Sequence, residues 1–135
     1  MRSNGTTADF ELQVSNSVNG FLLSGDLMFS SRVTGAAKAQ GVQVAAVANA
    51  AALVERLDAD TRLVMLDLGS PGLDPAECVR SIRAQAPQVK IVAYAPHVHE
   101  QRLAAAAAAG CDEVLTRGQF NAGIGPLLAR YLGGE

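Results

Sequence analysis

The sequence contains no tryptophan, and only 4% of its residues are aromatic. It therefore offers few rings on which a flavin or a nucleobase could stack. Basic residues are scattered, and 11 Lys and Arg against 13 Asp and Glu give a formal net charge of −2. Because a phosphate backbone is bound by clustered cations, this distribution argues against nucleic-acid binding.

Long apolar runs are also missing. No segment reaches the roughly 18 apolar residues that cross a membrane, and residues 1–19 lack the apolar stretch of a secretion signal. We therefore expect a cytoplasmic protein with no membrane association. The 135 residues suffice for one domain. We expect residues 1–19 to be a flexible leader or a partial extra strand, and residues 20–135 to form the domain.

Cysteine and histidine are scarce and show no metal or redox pattern. Cys78 and Cys111 lie in separate predicted elements without CxxC spacing, which indicates two small buried side chains in a reducing compartment. His97 and His99 form an H-x-H pair with no third ligand nearby in the sequence, so we expect solvated loop histidines. Neither accompanies a Ser or Cys nucleophile with an orienting third group, so nothing predicts an enzyme.

Strand and helix patterns alternate along the chain. Residues 62–68 are the clearest strand, because a continuous apolar run indicates a central parallel strand buried on both faces. Further strands are predicted over residues 21–23, 42–47, 89–94 and 111–116. Helical spacing follows each strand, over residues 27–40, after the N-cap Asn49, after the N-cap Asp74, and over residues 100–109 and 121–132.

The alternation of five strands with five helices predicts an α/β fold. Right-handed crossovers between parallel strands place helices on both faces of the sheet. At this length the pattern fits a flavodoxin-like, doubly wound five-stranded parallel sheet with the order 2-1-3-4-5. Arg117 to Gln119 is predicted as a loop before the last helix, whose first turn is weakened by Gly123 and Gly125.

In such a sheet, ligands bind beyond the carboxyl ends of the strands, at the switch point of the topology. The residues predicted at this edge are Ser24, Gly25, Asp26, Asp67, Ala95 and Arg117. Asp67 ends the apolar run of strand three, so a rigid strand holds its carboxylate where it is exposed enough to react. Taken alone, Asp67 is better explained as a strand-end aspartate that caps a loop amide.

Residues 63–83, LVMLDLGSPGLDPAECVRSIR, resemble the central motif of response-regulator (CheY-like) receiver domains. That family has an aspartate at the end of strand three, then a proline-glycine loop and a capped helix. The order of elements also fits from about Phe21 to Leu132. In the family the aspartate accepts a phosphoryl group from a histidine kinase, and magnesium binds beside it. The resemblance implies that Asp67 is the phosphoacceptor position and that the carbonyl of Gly69 is a magnesium-ligand position.

Receiver domains also have two acidic residues after strand one, which hold the magnesium ion. Packing favours matching Ser24 and Gly25 with this pair, because Phe29 and Val33 then face the core. A shift of one residue would instead make Asp26 the second acid, and the sequence leaves this open. With at most one further carboxylate, magnesium would bind weakly, if at all, through Asp67, Asp26 and Gly69.

Further departures follow strands four and five. The hydroxyl residue that the family has at the end of strand four is replaced by Ala95, and the lysine after strand five by Arg117. Arginine can still pair with a phosphate or a carboxylate, but it is larger than lysine. The aromatic switch residue of strand five corresponds to Val114. Together these departures imply a degenerate receiver, or pseudo-receiver.

The resemblance implies a signalling module that acts by protein–protein interaction. We expect it to use the face of helix four, strand five and helix five, with a histidine kinase or another signalling protein as partner, and possible homodimerisation. One alternative is a functional, atypical phospho-receiver of a two-component phosphorelay. Another is a small nucleotide- or flavin-binding protein on the same fold, although no glycine-rich phosphate loop is present.

Overall fold

The computed structural model describes residues 18–133, which contain a five-stranded sheet. The strands are β1 Gly20–Leu23, β2 Val44–Val47, β3 Leu63–Asp67, β4 Lys90–Ala95 and β5 Glu113–Thr116. They lie in the order β2-β1-β3-β4-β5, and all neighbours are parallel. This confirms the predicted doubly wound sheet. The prediction for residues 1–17 lies outside the described residues.

Helices cover both faces of this sheet. They are α1 Leu27–Ala39, α2 Ala50–Arg56, α3 Pro75–Gln85, α4 Glu100–Ala108, α5 Arg117–Ala122 and α6 Ile124–Leu132. The predicted N-caps are confirmed, because the side chain of Asn49 accepts a hydrogen bond from the Ala52 amide and that of Asp74 accepts from the Ala76 amide. Between residues 18 and 133, no helix has the length and hydropathy needed to cross a membrane.

The predicted loop over residues 117–119 is wrong, because these residues form the first turn of α5. The Thr116 hydroxyl accepts a hydrogen bond from the Gln119 amide at 3.1 Å, and Gln119 Oε1 accepts one from the Thr116 amide at 2.9 Å. This capping box starts a helix directly at the end of β5. The single last helix that we predicted is divided at Gly123, so the described residues contain six helices instead of five.

The strand β3 lies at the centre of the core. Leu63 and Met65 face the cluster beneath α1, α5 and α6, whereas Val64 and Leu66 face the cluster beneath α2, α3 and α4. All four side chains are fully buried, which confirms burial of this strand on both faces. Burying one such side chain contributes roughly 1.5–3 kcal/mol, so this strand fixes the position of Asp67 at its end.

Candidate functional site

Ser24 and Asp67 meet at the carboxyl edge of the sheet. Leu23 pairs with Leu66 in the parallel register of β1 and β3, so the next residue of each strand lies beside the other. The Ser24 hydroxyl donates a hydrogen bond to Asp67 Oδ2 at 2.8 Å, and the amide of Gly69 donates one to Asp67 Oδ1 at 2.9 Å. Both carboxylate oxygens of Asp67 therefore have a donor from the protein itself.

Asp26 has a different set of partners. It is the N-cap of α1, where its Oδ1 accepts a hydrogen bond from the Phe29 amide at 3.0 Å. Its Oδ2 accepts a hydrogen bond from the Arg117 guanidinium at 2.8 Å. The Phe29 amide and then Arg117 hold the pKa of Asp26 below its ordinary value. The backbone amide of Asp26 donates to the Ser24 hydroxyl at 3.1 Å.

Arg117 is oriented toward α1. Besides its ion pair with Asp26, its guanidinium lies over the ring of Phe29, 4.8 Å from the ring centre, which is a cation–π contact. No hydrogen bond or ion pair joins Arg117 to Asp67 within residues 18–133. The guanidinium of Arg117, at the end of β5, therefore binds the first turn of α1.

Neither Ala95 at the end of β4 nor Val114 on β5 brings a hydroxyl or a switchable ring to Asp67. Ala95 is fully buried in the cluster beneath α2, α3 and α4, next to Thr116 in the sheet register. Val114 is half-buried against the same cluster. The small side chain at residue 95 therefore contributes packing only.

Tyr94 is the residue of this edge that the sequence patterns did not single out. It pairs with Asp67 in the register of β3 and β4, and its side chain is 0% exposed. The ring stacks on Phe120 with 4.2 Å between ring centres and lies 5.4 Å from the ring centre of Phe29. Its hydroxyl has no hydrogen-bond partner among the described residues.

The surroundings of the Tyr94 hydroxyl change its pKa. Burial raises the pKa of Tyr94, and the nearby Asp67 carboxylate raises it further. The Ser24 hydroxyl lowers this pKa, although no hydrogen bond joins the two hydroxyls among the described residues. Strand alternation indicates that Tyr94 faces the side of the sheet opposite to Ala95, but the register that sets Tyr94 beside Asp67 is seen only in the structure.

A surface cavity of about 600 Å³ lies beside these residues. It is lined by Asp26, Met28, Phe29, Arg32, His97 and Arg117, among others, but not by Asp67. His97 is exposed and His99 is half-buried. Among the described residues, no three His, Cys, Asp or Glu side chains come close enough together to form a metal-binding cluster.

No protein-family model matches the chain, and no curated protein matches its sequence. Solved structures do match it. The receiver domain of sensor histidine kinase PA1611 from Pseudomonas aeruginosa, with a magnesium ion in its active-site cleft, is 22% identical, with a TM-score of 0.69 over 87% of this chain and 100% of that chain. The chemotaxis response regulator CheY4 of Vibrio cholerae is 15% identical, with a TM-score of 0.68 over 84% of this chain and 98% of that chain. A CheY-like protein, TadZ, from Pseudomonas aeruginosa is 21% identical, with a TM-score of 0.67 over 84% and 98%.

The chain has the receiver-domain fold.

Within the receiver fold, the predicted site residues form two groups that touch at one point. Ser24, Asp67 and Gly69 form the first group, and Asp26 and Arg117 form the second. The hydrogen bond from the Asp26 amide to the Ser24 hydroxyl joins the groups. Gly25 lies exposed between them, with no atom within 4 Å of the place where a Cβ would stand. Ala95 belongs to neither group.

Proposed function

We propose that this protein is a receiver-like signalling module of the cytoplasm that acts by binding other proteins, with Asp67 at the phosphoacceptor position of an incomplete magnesium pocket. The observation that carries this proposal is that the two carboxylates, Asp67 and Asp26, have different hydrogen-bond partners. Asp67 is held by a serine hydroxyl and a backbone amide, whereas Asp26 is held by Arg117 and the Phe29 amide.

Binding of magnesium is the first receiver property that this arrangement disfavours. The ion demands near-ideal octahedral oxygen coordination and is usually bound through carboxylates. To serve as a ligand, Asp26 would have to give up its ion pair with Arg117. The residue beside Asp67 on the neighbouring strand is Ser24, which brings a neutral hydroxyl instead of a carboxylate. Asp67 and the Gly69 carbonyl alone would hold the ion weakly.

Transmission of a phosphorylation signal is the second receiver property that this arrangement disfavours. Ala95 offers no hydroxyl to a group on Asp67, and Val114 offers no ring that could change its rotamer in response. The module therefore acts through a surface that is present without phosphorylation. The outer face of α4 supports a binding role, because its exposed side chains Ala104, Ala105, Ala107 and Ala108 present a smooth, uncharged surface. A histidine kinase, another signalling protein or a second copy of the chain would bind there.

The test is a titration of the full chain with magnesium and beryllium fluoride, a stand-in for the aspartyl phosphate, followed by backbone amide NMR. We expect no saturable shifts around Asp67 at millimolar magnesium. The Asp67→Asn variant is the control, since it removes the acceptor and defines the non-specific response. Saturable shifts at Asp67, Asp26 and Arg117 that disappear in Asp67→Asn would overturn the proposal and establish the atypical phospho-receiver instead.

A further inference from the structure

A cavity of about 470 Å³ lies between α2 and α3, and its inner walls are apolar. Ala51 and Val54 line it from α2, whereas Leu73 and Cys78 line it from the start of α3. Cys78 is only 4% exposed, and its thiol has neither a disulfide nor a hydrogen-bond partner within residues 18–133. Its side chain therefore forms the base of this α2–α3 groove. A groove of this size can hold a few side chains of a partner.

Three carboxylates border the α2–α3 groove, and no cation does. Glu55 lines it from α2, and Asp74 and Glu77 line it from the first turn of α3. All three residues are exposed, and none of them forms an ion pair within residues 18–133. No Lys or Arg is among the residues that line the groove. Since the whole chain has a formal net charge of only −2, this negative charge is a local concentration.

The stability of the helices accounts for two of these carboxylates but not for the third. Asp74 is the N-cap of α3 and Glu77 lies in its first turn, where a negative charge stabilises a helix. Glu55 lies in the last turn of α2, where a negative charge opposes the helix dipole. The neighbouring Arg56 does not neutralise it, because that guanidinium lies over the ring of Phe21, 5.1 Å from the ring centre. Glu55 therefore lacks a cation that a partner could supply.

We infer that the α2–α3 groove binds a basic, amphipathic segment of another protein. Apolar side chains of the segment enter the groove above Cys78, and its Lys or Arg side chains pair with Glu55, Asp74 and Glu77. An apolar centre with a charged rim is the usual construction of such an interface, and an amphipathic segment matches both parts of it. This surface is separate from the outer face of α4, so the inference goes beyond the proposed function.

The charge of the groove selects this occupant over others. Anionic membranes and nucleic acids are repelled by carboxylates. Among the described residues, no three His, Cys, Asp or Glu side chains come close enough together to share one metal ion, so a ligand with several separate cations fits better. The amino-terminal residues 1–17 do not provide one, because Arg2 is their single Lys or Arg against two acidic residues. A second copy of the chain is also acidic, and its basic residues are scattered.

The test is an amide NMR titration of the full chain with the synthetic peptide KLLKKLLK, which combines leucines with lysines. Two further peptides separate these contributions: KSSKKSSK keeps the charge without leucines, and ELLEELLE keeps the leucines with the opposite charge. We expect saturable shifts at Val54, Leu73 and Cys78 with KLLKKLLK and none that saturate with the other two. The affinity should fall when NaCl is raised from about 0.05 to about 0.5 M, because salt screens exposed ion pairs.

Two double variants show whether the carboxylates of the groove hold the peptide. Glu55→Gln with Glu77→Gln removes two of them and keeps the size of the side chains. Asp60→Asn with Glu100→Gln is the matched control, because both residues are exposed outside the groove and Glu100 occupies the first turn of α4 as Glu77 does in α3. The Kd for KLLKKLLK should rise about fivefold in the first variant and less than about twofold in the control. Circular dichroism confirms that both variants are folded.

Several results would overturn the inference. They are the absence of saturable shifts with KLLKKLLK at about 1 mM, shifts that map to another surface, equal Kd values in the two double variants, and saturation by KSSKKSSK, which would identify a site for any polycation. Shifts at the same residues that depend on the concentration of the chain alone would assign the groove to a second copy instead. None of these measurements involves magnesium or beryllium fluoride, so failure of the proposed function is a separate outcome.

Discussion

The Ser24 hydroxyl and Asp67 Oδ2 are 2.8 Å apart, although 43 residues separate them in the chain. This hydrogen bond occupies the place where the receiver resemblance leads one to expect a second carboxylate. Ser24 is only 4% exposed, so the contact is shielded from solvent. The residue that follows the neighbouring strand thus offers Asp67 a neutral hydroxyl donor.

Restoring a carboxylate at residue 24 should create a magnesium site. We expect Ser24→Asp to bind magnesium at least about tenfold more tightly than the unmodified chain, because a second negative charge near the ion contributes more than 1.4 kcal/mol at protein-like dielectric constants. Calorimetry measures the affinity. Without magnesium this variant should be less stable, since two adjacent carboxylates repel each other, and magnesium should raise its Tm.

Ser31→Asp is the control for this substitution. Ser31 is exposed on α1 and the change adds the same charge outside the contact with Asp67. If Ser24→Asp and Ser31→Asp bind magnesium with equal affinity, residue 24 is not the position at which a carboxylate would hold the ion together with Asp67.

Asp26 should contribute to stability in two separable ways. Asn at this residue keeps the oxygen that caps α1 but loses the ion pair with Arg117, whereas Ala loses both. We therefore expect the Tm to fall further for Asp26→Ala than for Asp26→Asn. Thermal unfolding at pH 7 measures the Tm of both variants. The reverse order would show that the hydrogen bond to the Phe29 amide does not stabilise the helix.

The same carboxylate gives a prediction for acid pH. Because the Phe29 amide and Arg117 lower the pKa of folded Asp26 below its ordinary value of 3.8, its contribution is present above that value and is lost as the pH falls through the folded value. The Tm of the unmodified chain should decline more steeply below about pH 4 than that of Asp26→Asn. Parallel declines in the two proteins would contradict this role.

Arg83 should stabilise the amino-terminal edge of the sheet. It donates to the carbonyl of Val89 at 2.7 Å and to that of Gly110 at 3.2 Å, and it forms an ion pair with Asp112 at 3.0 Å. Asp112 in turn accepts from the Ile91 amide at 2.8 Å. Since hydrogen bonds to charged groups contribute more than neutral ones, we expect Arg83→Ala to lower the free energy of unfolding by about 2 kcal/mol.

Chemical denaturation measures this loss, and Arg80→Ala is the matched control. Arg80 lies on the same helix, is exposed, and forms no ion pair or hydrogen bond with its side chain in residues 18–133. Its replacement should change stability by less than about 0.5 kcal/mol. Similar losses for the two variants would mean that the hydrogen bonds and the ion pair of Arg83 do not stabilise the fold.

The cysteines should be unreactive in the folded protein. Burial raises the pKa of both thiols to about 11, so little thiolate is present at neutral pH. Cys78 is buried and Cys111 is half-buried, and neither forms a disulfide. A thiol reagent at pH 7.5 should react slowly with Cys111 and more slowly with Cys78. In denaturant both should react at once, and fast reaction of the native chain would contradict the buried placement.

Much of the fold could be predicted because the signals are local or periodic. The continuous apolar run of β3, the N-caps Asn49 and Asp74, and the alternation of strands with helices require only neighbouring residues, and together they select the doubly wound sheet. One local signal was missed: Thr116 and Gln119 form a capping box, but we predicted a loop over residues 117–119.

The site depended on contacts that local patterns do not contain. Asp67 could be singled out, because a carboxylate that ends a buried strand is conspicuous in any sequence. The partners of the carboxylates could not be predicted, since Asp26 and Arg117 are 91 residues apart. The helical spacing of α1 favoured Ser24 at the position of the acidic pair but left a shift of one residue to Asp26 open. The parallel register of β1 and β3 placed Ser24, and not Asp26, beside Asp67. Likewise the register of β3 and β4 brought the buried Tyr94 to that carboxylate, because strand pairing is decided by packing across the whole sheet and not by adjacent residues.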